Sequence, residues 1–389
     1  MNAFSEYPAR TGAKADAIRV LVVDDSAVIR GLVCRWLEED GEITVVARAS
    51  NGEVALRQAR EHHPDVVVLD IEMPVMDGMT ALKKMLADDA GLKVLMSSTL
   101  TQRNAEISMQ ALSAGAADYV AKPSATVEMT GTMDFRRELI GKVKALAAAS
   151  RMRPRGSGST TAKSAGGRAP VSVARRPEGG LYGKSPISLR RWNRMLSPKV
   201  IAIGSSTGGP QALMELVKVM AGKVKQPIVI TQHMPPTFTK ILAEHLRRIH
   251  GEGCAEAQDG EILKGGHIYL APGDFHLTVQ VRGGQPKIAL EKGPPENFCR
   301  PAVDPMFRSL AKAYGGAVLG VVLTGMGHDG LSGGQAIVAA GGAIVAQDEA
   351  SSVVWGMPGA VATGGLCSAV LPLREIGPTI CRLANGGGL

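Results

Sequence analysis

Aromatic residues make up only 4% of the 389-residue sequence, and cysteines number five. The cysteines, Cys34, Cys254, Cys299, Cys367 and Cys381, are scattered, odd in number and free of any CxxC pair. That pattern excludes a disulfide framework and a clustered-cysteine zinc site, so reduced core or surface thiols are expected. Long apolar runs are missing too: the stretch from Ala317 to Leu323 is far shorter than the roughly 18 residues of a membrane span. Met1 to Lys14 lack the basic start and apolar run of a secretory signal, which together with the missing span predicts a cytoplasmic protein without membrane insertion.

With 45% hydrophobic and 21% charged residues the composition is that of an ordinary globular protein, and its length exceeds what one core usually supports. Two domains are expected. The net charge of +8 raises the question of nucleic acid, but the excess sits in one segment. Arg151 to Arg194 hold eleven Lys and Arg against the single acid Glu178, so this segment carries +10 and the rest of the chain −2. It mixes its charges with Gly, Ser, Ala and Pro rather than with aromatic, base-reading partners, which predicts a flexible linker over residues 150–195 and no nucleic-acid partner.

On either side of the linker, short apolar runs alternate with helical patterns. Ile18–Val23, Thr44–Ala47, Val66–Leu69, Lys93–Met96 and Asp118–Ala121 read as five buried strands, the order of a parallel sheet wrapped on both faces by helices. Val200–Ile203, Pro227–Thr231, Ala317–Leu323 and Ala343–Ala346 repeat that doubly wound style. His267 to Leu290, with Gly283-Gly284, reads instead as an antiparallel hairpin. Functional residues in such sheets lie at the carboxyl ends of the strands.

Asp24 and Asp25 follow the first strand and Asp70 the third; Ser98 closes the fourth and Lys122 the fifth, ahead of Pro123. Three carboxylates at one sheet edge repel one another and predict a hard divalent cation, Mg2+ above all. Adding a hydroxyl and an ammonium makes a set able to accept a phosphoryl group on an aspartate. In the MPVMDG turn after Asp70, Pro74 fixes one dihedral and Gly78 is expected to take a positive one. The segments VVDDS, VLDIEMPVMDG, SST and AKPS resemble the receiver domain of two-component response regulators over residues 17–140. The resemblance implies a flavodoxin-like fold, phosphorylation of Asp70 by a histidine kinase, and Mg2+ held by Asp24, Asp25, Asp70 and the Glu72 carbonyl. Ser98 and Lys122 would be the switch pair and Tyr119 the rotating aromatic.

In the second half, VIAIGSSTGGPQALMELV is a strand, a glycine and hydroxyl turn, and a helix whose free amides suit developing negative charge. Neither GxGxxG spacing nor a Walker lysine is present, so a nucleotide site is disfavoured. Ser206 stands where a strand-to-helix turn presents a nucleophile. Such a serine needs a base and the base an orienting acid; His233 ends PIVITQH and Asp329 follows VLGVVLTGMGHDG. His328 competes with Asp329 for a place in the site. His62, His63, His245, His250, His267 and His276 are expected at the surface, and Cys254 and Cys299 are set aside as nucleophiles because neither lies in a strand-to-helix glycine turn.

IGSSTGGP, ITQHMPP, LTGMGHDG and RPAVDPMF resemble the catalytic domain of the chemotaxis protein-glutamate methylesterases, the CheB family, over residues 197–385. The resemblance implies Ser206 as nucleophile, His233 as base and Asp329 as its partner, with Thr207 and Met326 near the oxyanion and no cofactor in this domain. The substrate would be γ-glutamyl methyl esters of chemoreceptors, with receptor glutamine deamidation as a further activity. A monomer, gated by its receiver across an unusually long linker, is expected. The rivals are a serine hydrolase of another signalling protein and a DNA-binding response regulator, whose recognition-helix pattern the second half lacks.

Overall fold

The computed structural model describes residues 17–99, 101–122, 129–151, 187–191 and 197–387, and the chain divides into two compact units, one around each of two parallel sheets. The first half runs β1 (Ile18–Val23), α1 (Ala27–Glu38), β2 (Ile43–Ala49), α2 (Gly52–His62), β3 (Val66–Asp70), α3 (Gly78–Asp88), β4 (Lys93–Thr99), α4 (Gln102–Ser113), β5 (Asp118–Lys122) and α5 (Met129–Arg151). Its strands form one sheet in the order β2-β1-β3-β4-β5. Every residue of β3 is buried, as a strand covered on both faces requires. Helix starts are fixed locally: Ser26, Asn51 and Asp77 accept through their side chains from the amides of Ile29, Val54 and Thr80. Trp36 of α1 meets Phe135 of α5 edge to face, ring centroids 5.8 Å apart.

The second half contains β6 (Val200–Ser205), α6 (Gly209–Met220), β7 (Ile228–Gln232), α7 (Pro236–His250), β8 (Cys254–Glu256), β9 (Ile268–Leu270), β10 (His276–Arg282), β11 (Gln285–Glu291), α8 (Val303–Tyr314), β12 (Val318–Val322), α9 (Leu331–Ala339), β13 (Ala343–Gln347), α10 (Met357–Thr363), β14 (Cys367–Leu371) and α11 (Leu373–Ala384). Seven strands make a parallel sheet, β14-β13-β12-β6-β7-β9-β8. Its core packs Val200, Ala202, Val229, Val318 and Val322 against Met306, Phe307 and Leu310 of α8. No described helix is long and apolar enough to cross a membrane.

Two expectations need correction. The hairpin begins at His276, not His267: Ile268–Leu270 belongs to the parallel sheet beside β7, and β10 and β11 are the antiparallel pair among the described strands, around Gly283 and Gly284 with φ of 62° and 76°. In the MPVMDG turn the positive φ falls on Val75, at 68°, and not on Gly78. Gly78 is required for another reason: a Cβ there would collide with the Asp70 carbonyl oxygen. Strands β8 and β14 were not anticipated; β8 has only three residues, whereas CSAVL after Gly364-Gly365 carries a readable strand signal. Pro123 and most of the segment 150–195 lie outside the described residues. Of that segment, the final residues of α5 are helical, and Arg190 N donates to the Cys367 carbonyl of β14 at 2.8 Å.

Candidate active site

β6 lies between β7 and β12, so the chain leaves β6 to one side and returns on the other, opening a crevice above its carboxyl end. Ser206 begins the turn there. From Ile201 to Pro210 it is the only residue not buried, whereas the neighbouring Ser205 is fully buried and donates to Gln232 Oε1 at 2.7 Å. The geometry thus separates the two hydroxyls: Ser205 is structural and Ser206 accessible. Gly208, φ 77°, lets the backbone swing into α6, and any Cβ on it would strike Val353. Gln232 Nε2 donates to the carbonyls of Ser206 (3.0 Å) and His233 (3.3 Å), tying the two backbone segments together.

His233 follows β7 and Asp329 follows β12, and they meet: Nε2 lies 2.7 Å from Asp329 Oδ2. His328 is exposed, whereas Asp329 is 1% exposed and is the residue bonded to His233. Asp329 also accepts from the Val303 amide at 2.6 Å and the Asp304 amide at 3.0 Å, the start of α8. Burial opposes charge on Asp329, but the His233 ring and these amides outweigh it and hold the carboxyl below the usual carboxylate range. Burial would likewise push the His233 imidazole down; the Cys299 thiol and the Asp329 carboxylate overcome it and raise it.

Cys299 was set aside from sequence, yet its Sγ lies 3.3 Å from His233 Nδ1. It arrives on the loop between β11 and α8. Glu296 and Cys299 exchange backbone hydrogen bonds across Asn297 and Phe298, with φ of 53° and 62°. His276, expected at the surface, is 5% exposed and pins this loop: Nε2 reaches the Pro294 carbonyl at 3.0 Å and Nδ1 accepts from the Ala302 amide at 3.2 Å. No periodic pattern in the sequence marks such a loop.

On the far side of Ser206, the Thr324–Gly327 segment passes close. Ser206 N donates to the Thr324 carbonyl at 3.0 Å, and Thr324 Oγ1 donates to the Thr207 carbonyl at 2.8 Å. Thr207 is 1% exposed, and its hydroxyl has no hydrogen-bond partner among the described residues. Met326 is half-buried.

In the first unit Asp24, Asp25 and Asp70 bring carboxylate oxygens within 4.8 Å of one another. Lys122 Nζ lies 2.7 Å from Asp24 Oδ2 and 2.8 Å from Asp70 Oδ2. Burial raises the Asp70 carboxyl, Lys122 offsets part of this and Asp24 adds to it. Three acids against one ammonium, all oxygen donors, fit a hard divalent cation. Glu72 is exposed two residues past Asp70. Ser98 is 1% exposed at the end of β4, and Tyr119 is buried under Lys142, whose Nζ is 5.0 Å from the ring centroid and 2.6 Å from the Tyr119 carbonyl.

Residues 201–380 match the CheB methylesterase family, and residues 20–134 the response regulator receiver domain. The chain is 56% identical over 374 residues to the protein-glutamate methylesterase/protein-glutamine glutaminase 1 of Paramagnetospirillum magneticum, covering 95% of this chain and 97% of that one. It is 55% identical over 379 residues to the protein-glutamate methylesterase/protein-glutamine glutaminase of group 2 operon of Rhodospirillum centenum, covering 95% of each. Among solved structures, the CheB methylesterase catalytic domain of Thermotoga maritima is 41% identical, with a TM-score of 0.46, over 48% of this chain and 100% of that one.

Proposed function

This chain belongs to the CheB methylesterase family, with a response regulator receiver domain ahead of the methylesterase domain, and from that premise we propose that it is a phosphorylation-activated protein-glutamate methylesterase. Its substrates are γ-glutamyl methyl esters on the cytoplasmic helices of chemoreceptors, and the names of its relatives support deamidation of receptor glutamines as a second activity. The observation that carries the reading is the 2.7 Å bond between His233 and Asp329, formed at the ends of the two strands flanking the one that presents Ser206.

Ser206 Oγ attacks the ester carbonyl. Because Asp329 holds Nε2, the proton goes to His233 Nδ1, and it is then delivered to the methoxide as methanol leaves. Water, deprotonated by the same nitrogen, attacks the acyl-serine, which releases glutamate and restores the serine. The Thr207 hydroxyl, buried and unpartnered, and the Met326 segment supply donors for the oxyanion.

The arrangement is a receiver over 17–140, a linker over 150–195 and a catalytic domain over 197–385. A histidine kinase of the chemosensory pathway phosphorylates Asp70. Asp24, Asp25, Asp70 and the Glu72 carbonyl would hold Mg2+, which would supply positive charge to offset that of the phosphoryl group. Lys122 holds the phosphoryl oxygens, and Ser98 with Tyr119 transmits the change. The protein acts as a cytoplasmic monomer. Methanol release from methylated receptor membranes, with and without a small-molecule phosphodonor, tests the reading. The parent should respond to phosphodonor, Asp70→Asn should not respond, and Ser206→Ala should be inactive; activity retained in Ser206→Ala would overturn the mechanism.

A further inference from the structure

Behind Asp329 stands a second carboxylate that the reaction does not use. Asp304, on the first turn of α8, is 2% exposed and accepts from the amides of Gly330 at 3.0 Å and Gly333 at 2.6 Å. The two acids are joined by one side chain: Asn297 Nδ2 donates to Asp329 Oδ1 at 2.9 Å and to Asp304 Oδ2 at 3.0 Å. Asp329 Oδ1 also accepts from the amides of Asp304 and Gly330, both at 3.0 Å, so this oxygen is fully engaged and Oδ2 is left to face His233. Asn297 sits in the left-handed region, where glycine would be easier, yet it carries the amide that reaches both acids.

We propose that Asn297 and Asp304 are positioning residues for the esterase reaction, Asn297 tying the Asp329 carboxylate to the buried Asp304 carboxylate so that Asp329 keeps one oxygen on His233 throughout the cycle. The arrangement gives Asp329 no freedom to rotate away when His233 takes and returns the Ser206 proton. Asp304 also adds negative charge behind the His233–Asp329 pair. The charged and titratable groups around it are Asp329 and His233, Cys299 on the other ring nitrogen, and Arg308 on its own helix, itself held by Glu296 at 2.7 Å. Burial and the Asp329 carboxylate push the Asp304 carboxyl up, as two acids sharing one donor would.

The inference rests on the methylesterase reading for its kinetics but not for its geometry, and two variants separate the two. Asn297→Gly removes the amide while keeping a residue at ease with a positive φ, so it preserves the turn. Asp304→Asn is isosteric and sets an amide against the Asn297 amide, which breaks the bridge. In the full chain, kcat for methanol release should fall roughly tenfold to a hundredfold in each with KM unchanged, the scale of a misplaced catalytic group. The double variant should be no worse than the poorer single, because both act on one linkage. In Asp304→Asn the His233 ring, followed by NMR titration of labelled histidine, should lose its proton at lower pH than in the parent, and the acid limb of the rate profile should move with it. A His233 titration and a kcat unmoved in folded variants would overturn the proposal. A parent that releases no methanol counts against the methylesterase reading alone, and the NMR titration then decides the positioning role.

Discussion

Cys299→Ala tests how the base is tuned. The thiol sulfur lies 3.3 Å from His233 Nδ1 and the Asp329 oxygen 2.7 Å from Nε2, so two groups favour the protonated ring against burial that disfavours it. A general base acts only when unprotonated, so raised proton affinity cuts activity off at a higher pH. Without the sulfur, burial is opposed by Asp329 alone. A hydrogen bond to a charged partner contributes about 1.5 to 3 kcal/mol, and about 1.4 kcal/mol is a tenfold change in proton affinity. The acid limb of methanol release should therefore move down by about one pH unit or more.

Above that limb, kcat should not fall, because Nδ1 no longer has to release a sulfur before taking the Ser206 proton. Cys299→Ser keeps a hydrogen-bonding group without a thiol's acidity and should give a limb between those of parent and alanine variant. The stability sign is the complement. A ring whose folded-state proton affinity is raised contributes stability that is fully present below the ordinary histidine range and lost as pH rises through the raised value. The parent's denaturant midpoint should then decline with rising pH above neutrality more steeply than that of Cys299→Ala. An acid limb in the same place in parent and Cys299→Ala would refute the reasoning.

Ser205→Ala should fold and keep methanol release within about tenfold, losing one buried hydrogen bond of about 1 kcal/mol, whereas Ser206→Ala should lose at least about a thousandfold; single-turnover assays separate them. Gly208→Ala should lower stability by about 1 to 3 kcal/mol in denaturant titrations, since φ is 77° and the new methyl meets Val353. Lys122→Ala leaves Asp24 and Asp70 buried without their ammonium, so the receiver should lose about 3 kcal/mol at neutral pH and recover much of it when Mg2+ is added, read by thermal melts. Asp304, with its carboxyl raised, binds its proton more tightly folded than unfolded, so it lowers stability as pH climbs above the ordinary carboxylate range; Asp304→Asn should lack that decline.

The strand ends were legible in the sequence because they are local: Asp24 follows β1, Asp70 ends β3, His233 follows β7, and Asp329 lies in the loop after β12. Illegible were residues delivered by chain geometry rather than pattern. Cys299 and Asn297 reach His233 and Asp329 from an irregular loop whose course depends on His276, a histidine that reads as a surface residue, and on two side-chain-bearing positions with positive φ. Gln232 was hidden for a different reason. As the last residue of a buried strand it reads as the edge of an apolar run, and only the register of β6 beside β7, Ser205 opposite Gln232, shows why an amide is needed.

Strand order also explains why small residues stand where they do. Neighbouring strands are about 4.8 Å apart, so β7 and β12, with β6 between them, are separated by roughly 10 Å. The His233–Asp329 bond closes above the end of β6, and the glycines there are fixed by their own neighbours: a Cβ on Gly204 would meet Val303, on Gly208 Val353, and on Gly209 the Gln232 side chain. The first unit has a similar layout: β4 separates β3 from β5, Lys122 reaches across to Asp70 at 2.8 Å, and β4 ends in Ser97, Ser98 and Thr99. In each sheet a long side chain from one flank meets an acid from the other across a middle strand whose last residues carry hydroxyls. What differs is exposure: Ser206 is only partly buried in the second unit, whereas in the first Asp70 and Ser98 are both buried, at 6% and 1% exposed.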